Sequence, residues 1–284
     1  IFNIKYGEIK MKKTFWGGRR YCSLDYMLKK RYSEKLYKLS LNGGMTCPNR
    51  DGKISEGGCI FCSAGGSGDF AANFNPDIAK QIEQAKTLVS KKYQGDRFIA
   101  YFQAYTNTYA PVEYLRKLFM DTIMRDDIAI LSIATRPDCL GDDVIELLAE
   151  LNRIKPVWVE LGLQTINEST ARLINRGYEL SCYDEAVRRL RNIGVEIITH
   201  MIIGLPYETK EDILSTAEYI GKTANGIKLQ LMHILKNTKL LEMYEKGEFK
   251  ALTEEEYIEI VCEIISILPR EMVIHLSLIH ISEP

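Results

Sequence analysis

Short apolar runs rich in β-branched and aromatic residues recur along the chain, separated by stretches whose apolar positions repeat with helical spacing. The runs predict strands over 38–41, 97–103, 128–134, 157–163, 195–203 and 226–232. The helical stretches predict helices over 76–93, 112–125, 141–153, 167–175, 182–193 and 209–222. A further helix over 254–268 and a strand-like MVIH over 272–275 follow. Strands apolar on both faces that alternate with amphipathic helices are parallel strands covered by helices. Six such units predict an α/β fold, a partly closed (β/α)6 barrel with its functional groups at the carboxyl ends of the strands. The unusual residues fall there: Cys47 follows the first strand, Gln103 ends the second, Thr135 to Asp138 follow the third, Gln164 follows the fourth and Gly204 to Pro206 follow the fifth.

With 284 residues, 46% of them hydrophobic, the chain can bury one substantial core. The expected organisation is a basic, aromatic-rich extension over 1–37, a core barrel over 38–235 and a helical and strand extension over 236–275. Met11 reads as the native start, with 1–10 upstream of it, and the closing LSLIHISEP reads as a non-native tail over 276–284. No run approaches the roughly 20 apolar residues that span a bilayer, and no secretory signal opens the chain. A cytoplasmic protein with no membrane partner is expected.

The net charge of −1 conceals an asymmetry: residues 1–40 hold eleven Lys and Arg against three Asp and Glu, leaving −9 on the rest. A segment of +8 can track a phosphate backbone, with Phe15, Trp16, Tyr21, Tyr26, Tyr32 and Tyr37 available to stack on bases. The alternative is the solvated basic face of an ordinary helix.

Seven cysteines, an odd number, without an export signal argue for reduced thiols over a disulfide framework. Cys22, Cys139, Cys182 and Cys262 are scattered and read as buried structural thiols. Cys47, Cys59 and Cys62 form a C-x11-C-x2-C motif on one Gly-rich loop. Three thiolates can hold three irons of a [4Fe–4S] cluster and leave the fourth iron open. The alternative is zinc, which in a closed site takes four ligands. None of the four histidines lies near the motif in sequence, so only Cys22 offers a fourth.

The motif, taken with MTCPNRDG, GGCIFCSAGGSGDF, FQAYTNTYAP, TRPDCL, VELGLQT, LINRGY, HMIIGLP and HILK, resembles the radical SAM (S-adenosylmethionine) superfamily, and within it the YhcC/YtqA-like family, related to the Elongator catalytic-subunit/MiaB/NifB-like group. The resemblance covers nearly all of residues 20–275. It implies a TIM-like barrel of the radical SAM type and an enzyme that reductively cleaves SAM at a [4Fe–4S] cluster on Cys47, Cys59 and Cys62. It places Phe61 near the SAM adenine, and Gln103 where many relatives carry a Gly-Gly-Glu-type stretch that this chain lacks. Gln164 and Arg176, twelve apart, are similar to a Gln and Arg that hold SAM in coproporphyrinogen-dehydrogenase-like relatives. There an amide meets the ribose and a guanidinium meets the carboxylate. His200 falls where those relatives have a ribose-binding Asp, Gly204 is placed close to the adenine, and Arg136 against SAM. Tyr105, Asn107 and His233 are placed toward substrate.

The expected function is modification of a tRNA wobble-uridine side chain, with tRNA held by the basic segment and electrons from a donor such as flavodoxin or ferredoxin. Two alternatives stand beside it: radical chemistry on a small molecule in cofactor or porphyrin metabolism, and a non-catalytic iron–sulfur scaffold.

Overall fold

The predicted strands form, all parallel. In the computed structural model, which describes residues 16–276 apart from Ser67, Asp69, Phe70, Lys92 and Gln94, the strands are β1 (Cys22–Ser23), β2 (Tyr37–Leu41), β3 (Phe98–Phe102), β4 (Ile128–Thr135), β5 (Val157–Gln164), β6 (Glu196–Ile203), β7 (Gly226–Leu231) and β8 (Val273–Leu276). They make one sheet in the order β1-β8-β7-β6-β5-β4-β3-β2, curled into an α/β half-barrel. β3 and β4 are buried at every position, as strands covered on both faces must be. The 272–275 run supplies β8, which continues the sheet beyond β7. The two-residue β1 then pairs with β8 and carries no pattern long enough to read in the sequence.

The helices are α1 (Leu24–Tyr32), α2 (Ile78–Val89), α3 (Val112–Ile123), α4 (Asp142–Ile154), α5 (Glu168–Leu173), α6 (Leu180–Asn192), α7 (Lys210–Thr223), α8 (Lys239–Glu245) and α9 (Glu254–Ile267). Their starts follow capping chemistry. Asp77 and Asn167 accept from the first free N–H groups of α2 and α5, and Thr209 with Asp212 and Thr253 with Glu256 form reciprocal capping boxes on α7 and α9. α2 stops at Val89, short of the expected 93, and α1 and α8 were not legible from periodicity. Cys262 is exposed, which corrects its reading as a buried thiol; Cys139 and Cys182 are partly exposed, and Cys22 alone of the scattered four is buried.

Between helices and sheet lies the main core, with Phe119, Leu147, Leu151, Tyr183 and Ile220 fully buried against the strands. A second core fills one end of the barrel interior, where Leu28 of α1 packs with Ile99, Ile130, Trp158 and Ile198. Burying a leucine of this kind contributes about 1.5–3 kcal/mol. α1 is therefore a plug rather than a free arm. Arg31 pairs with Glu196 at the start of β6, and Arg97, just before β3, pairs with Glu34. Those pairs fix the plug at the amino ends of the strands, opposite the end where the loops carry chemistry. Trp16 packs edge-on to Tyr26 at 5.5 Å. Phe15, residues 1–10 and all of 276–284 but the backbone of Leu276 lie outside the described residues.

Candidate active site

The loop after β2 is built by short-range hydrogen bonds around the three cysteines. Arg50 N donates to Cys47 O at 2.8 Å, Gly58 N to Asn49 O at 2.8 Å and Cys62 N to Cys59 O at 3.0 Å. Arg50 closes the loop by donating to the carbonyls of Cys62 and Ser63. Asn175 Nδ2 ties the loop to the segment after α5, reaching Gly58 O and Ser55 Oγ, both at 2.9 Å. Between the last two cysteines, Ile60 and Phe61 pack on a small core with Ile174, Ile202, Leu205 and Leu240. On the other side Tyr105, at φ +60°, donates its hydroxyl to Ala64 O at 2.7 Å.

All three thiols are free. Burial pushes the Cys59 thiol up to about 11, and Cys62 beside it adds to the rise. A bound cation reverses that preference, since a coordinating thiol is deprotonated outright. Asn49, fully buried, directs its amide at the Sγ of Cys59. Among the described residues no group of three or more His, Cys, Asp or Glu is gathered to hold a single metal ion. A cubane asks for something else, one thiolate on each of three separate irons. Three thiols with one amide donor, and no fourth cysteine among the described residues that line their cavity, fit such a cluster, and Cys47, Cys59 and Cys62 are the residues that would hold it.

One cavity at the carboxyl ends of the strands is lined by all three cysteines and by Phe61, Gln103, Tyr105, Arg136, Gln164, Arg176 and His200. Six separate segments of the chain thus meet as the strand-end argument requires. Three expected residues lie outside the lining. Gly204 has φ +91°, and a Cβ there would meet Leu252 at 3.0 Å, so its close approach is to that leucine. Asn107 is fully buried and donates to the carbonyls of Phe102 and Ala134 at 3.0 and 2.9 Å, clamping the ends of β3 and β4. His233 is exposed just past β7.

Within the lining, several side chains have prior commitments. Arg176 is 1% exposed, and donates to Tyr178 O, Thr165 O and Glu168 at 2.9, 2.7 and 2.9 Å. Its guanidinium is a hub for the turn after β5, which leaves little of it for a carboxylate of SAM. Arg136 forks onto Asp138 and reaches Arg176 O at 2.9 Å. Tyr178 lies against both guanidinium groups, 5.0 and 4.7 Å from its ring centre. Gln164 adopts φ +66° where the β5–β6 pairing slips, and Gly162 beside it lacks the Cβ that would sit 2.7 Å from the Gln164 amide. This backbone conformation, uncommon for a residue other than glycine, is held only because its surroundings enforce it.

Below this layer, Glu160 is fully buried and faces Lys38 Nζ at 2.5 Å, Ser132 Oγ at 2.7 Å and His200 Nε2 at 2.7 Å. Burial opposes its ionisation, yet Lys38 and Lys228 together hold the carboxyl well below the usual range. Burial, then Lys228, pushes His200 down to about 4, so its ring is neutral and Nε2–H donates to Glu160. Glu160, Lys228, Tyr101 and Tyr178 also line the cavity and were missed in the sequence. The available signal was a charge at an inward position of an apolar run, in VWVELGL and GIKLQL.

A parallel half-barrel with three thiols on the loop after its first full strand defines a class of cluster-dependent enzyme, and comparison with known proteins agrees. Residues 47–220 match the Radical SAM superfamily, and residues 224–281 match the Radical SAM C-terminal domain. YtqA of Bacillus subtilis (strain 168) is 46% identical over 258 residues, 90% of this chain and 80% of its own length. YhcC of Escherichia coli (strain K12) is 38% identical over 250 residues, 87% of this chain and 80% of its own length. A tRNA uridine(34) acetyltransferase of Methanocaldococcus infernus is 29% identical over 147 residues, 49% of this chain and 26% of its own length. Among solved structures, the archaeal Methanocaldococcus infernus Elp3 with its N-terminus deleted superposes with a TM-score of 0.62 at 20% identity, covering 84% of this chain and 56% of that one. The chain belongs to the radical SAM superfamily and, within it, to the family of YtqA and YhcC. Membership implies a [4Fe–4S] cluster and SAM. No helix among the described residues is long and apolar enough to cross a membrane.

Proposed function

We propose that the chain reductively cleaves SAM at a [4Fe–4S] cluster on Cys47, Cys59 and Cys62 and directs the resulting radical at the side chain of a tRNA wobble uridine. The observation that carries the first half is the convergence of three thiols, Phe61, Gln103 and Gln164 on one cavity. When bound, the cluster supplies the electron that splits SAM into methionine and a 5′-deoxyadenosyl radical. This chain's residues do the rest. Phe61 offers a ring face to the adenine, Gln103 and Gln164 offer amides to the polar groups of SAM, and the Arg136–Tyr178–Arg176 stack keeps the wall rigid.

The tRNA half is supported by the partial likeness to a tRNA uridine(34) acetyltransferase and by the basic segment. The described part of that segment sits at the amino ends of the strands, while the cavity opens at the carboxyl ends. An eight-residue strand spans about 26 Å. A ligand gripped at both ends must be far larger than a nucleoside, as a folded RNA is. The protein then works in the cytoplasm with flavodoxin or ferredoxin as electron donor.

Two measurements test the reading. Anaerobically reconstituted protein with dithionite and SAM is expected to release 5′-deoxyadenosine. Mass spectrometry of tRNA nucleosides from a strain lacking the gene is expected to reveal an accumulated wobble-uridine precursor; an unchanged nucleoside profile removes the tRNA half and leaves the first intact.

A further inference from the structure

The floor of the cavity carries more positive charge than its own residues neutralise. Lys38 of β2 and Lys228 of β7 both turn toward the single carboxylate of Glu160, the first at 2.5 Å and the second at 3.6 Å. The other groups gathered there bring no charge: Tyr101 from β3 and Gln103 just past it, Ser132 from β4, a neutral His200 from β6 and Gln230 from β7. His275 from β8 is also neutral, because burial holds its ring well below the usual histidine range. Arg136 and Arg176, higher in the same cavity, each have their own carboxylate in Asp138 and Glu168. Burial lowers Lys228 to about 8, so its ammonium form still prevails at neutral pH, and two cations against one anion leave one positive charge in surroundings where Lys38 and Lys228 are only 22% and 13% exposed.

The two lysines are not equivalent. Lys38 is bonded directly to Glu160, whereas Lys228 donates to Tyr101 Oη at 3.1 Å and stands too far from Glu160 for a hydrogen bond. An ammonium has three donors. Lys228 lines the cavity together with Tyr101, Gln103 and Gln230. A buried cation with donors to spare, facing a cavity, is costly until an anion arrives.

We infer that Lys228, with Tyr101 and Gln230 around it, forms a subsite for a carboxylate carried by the second ligand of the cavity, the substrate that lies beside SAM. The surplus of one charge suits a monoanion; a phosphate dianion would overshoot it. The inference rests on the proposed function only in requiring a substrate beside SAM, and it needs neither RNA nor a particular base.

The test is thermal unfolding of the anaerobically reconstituted protein at fixed ionic strength, with acetate as the probe and acetamide as its neutral isostere. Acetate is expected to raise Tm above the acetamide value, and Lys228→Met to abolish that difference while Lys228→Arg retains it. Without ligand, Lys228→Met, which keeps the apolar stem and drops the surplus charge, is expected to unfold at or above the wild-type temperature. Lys38→Met is expected to unfold several degrees lower, because it strips Glu160 of its counterion. Equal losses in the two Met variants, a Lys228→Met protein that does not fold, or no preference of the wild type for acetate would each overturn the subsite. Saturating SAM is expected to leave the acetate effect in place; its disappearance would assign the site to the carboxylate of SAM and overturn the substrate assignment. The assay contains no RNA and no reductant, so a failed tRNA phenotype and a failed subsite are separate results.

Discussion

Asn49 Nδ2 lies 3.6 Å from the Sγ of Cys59, and the same amide donates to the carbonyls of Asn175 and Arg176 at 2.6 and 3.2 Å. One side chain thus ties a thiol of the cluster loop to the segment that follows α5. Outer-shell groups of this kind set the orientation and basicity of metal ligands, and their loss commonly costs 10–100-fold in affinity. Asn49→Leu, close in volume but without donors, is expected to retain roughly tenfold less iron under chelator challenge than the wild type. Iron per chain after timed exposure to a chelator checks it; unchanged retention would make the amide a loop fastener only.

Replacing Cys59 by Ala removes a ligand from the stretch Cys47 to Cys62, none of whose residues belongs to the main core. The variant is expected to fold with a Tm within a few degrees of the wild type, yet to hold no SAM-cleaving cluster. Cys139 provides the control. It lies outside the lining of the cavity on which Cys47, Cys59 and Cys62 converge, so Cys139→Ala is expected to keep full iron. Normal 5′-deoxyadenosine release from Cys59→Ala would refute the ligand assignment.

Two glycines separate backbone strain from steric closure. Gly66 and Gly194 both have positive φ, +58° and +72°, but a Cβ at Gly66 would lie 2.2 Å from the Tyr105 ring, while one at Gly194 meets nothing within 4 Å. Gly194→Ala is expected to cost about 1 kcal/mol, the strain alone. Gly66→Ala also forces Tyr105 off Ala64, and is expected to impair cluster assembly while leaving the unfolding of the barrel nearly unchanged. Circular dichroism melts paired with iron analysis distinguish the two; equal iron in both variants would show that Tyr105 does not brace the loop.

How much of this could be read from the chain follows from where the information is local. The strands were legible because Ile128 to Thr135 and Val157 to Gln164 are near-continuous apolar runs, and the cysteine motif because three ligands of one cluster sit on one loop. Cys22–Ser23 is too short to carry a period, and α1 owes its place to Leu28 meeting Trp158 and Ile198 from distant strands. The Lys38–Glu160–Lys228 group was invisible for the same reason: its members are 122 and 68 residues apart, and only the closure of the sheet brings them together. Arg176 was singled out by its likeness to an arginine of SAM-binding relatives, but a likeness in sequence does not reveal that its donors are already engaged by Thr165, Tyr178 and Glu168.

The basic segment offers a test of the RNA reading that leaves the cavity untouched. Reversing the charge at Arg19, Arg20, Lys29 and Lys30, at the end of the barrel remote from the cluster loop, is expected to weaken salt-sensitive binding of bulk tRNA. SAM cleavage uncoupled from substrate is expected to be unchanged. Filter binding at two salt concentrations reads the first and 5′-deoxyadenosine the second; equal tRNA affinity would leave the segment as a solvated face on a plugging helix.

Two partly buried groups pull the acid stability of the protein in opposite directions. His200 is pushed down to about 4 by burial, then by Lys228, so the unfolded chain binds a proton below about 6.5 that the native ring refuses until about 4. Its contribution therefore falls with acidification, by about 2 kcal/mol between pH 7 and pH 5. Glu208 is the reverse case. Burial raises it to about 7, and its Oε2 is buried without a partner while Oε1 accepts from Thr165 Oγ1. The native state takes up that proton before the unfolded chain does, so acidification over the same range adds about 2 kcal/mol. His200→Gln keeps a donor for Glu160 and does not titrate, and is expected to gain stability relative to the wild type as pH falls from 7 to 5. Glu208→Gln is expected to lose it by a similar amount. Urea midpoints at the two pH values check both signs, and parallel profiles in the two variants would show that neither group titrates between the folded and unfolded states as its surroundings dictate.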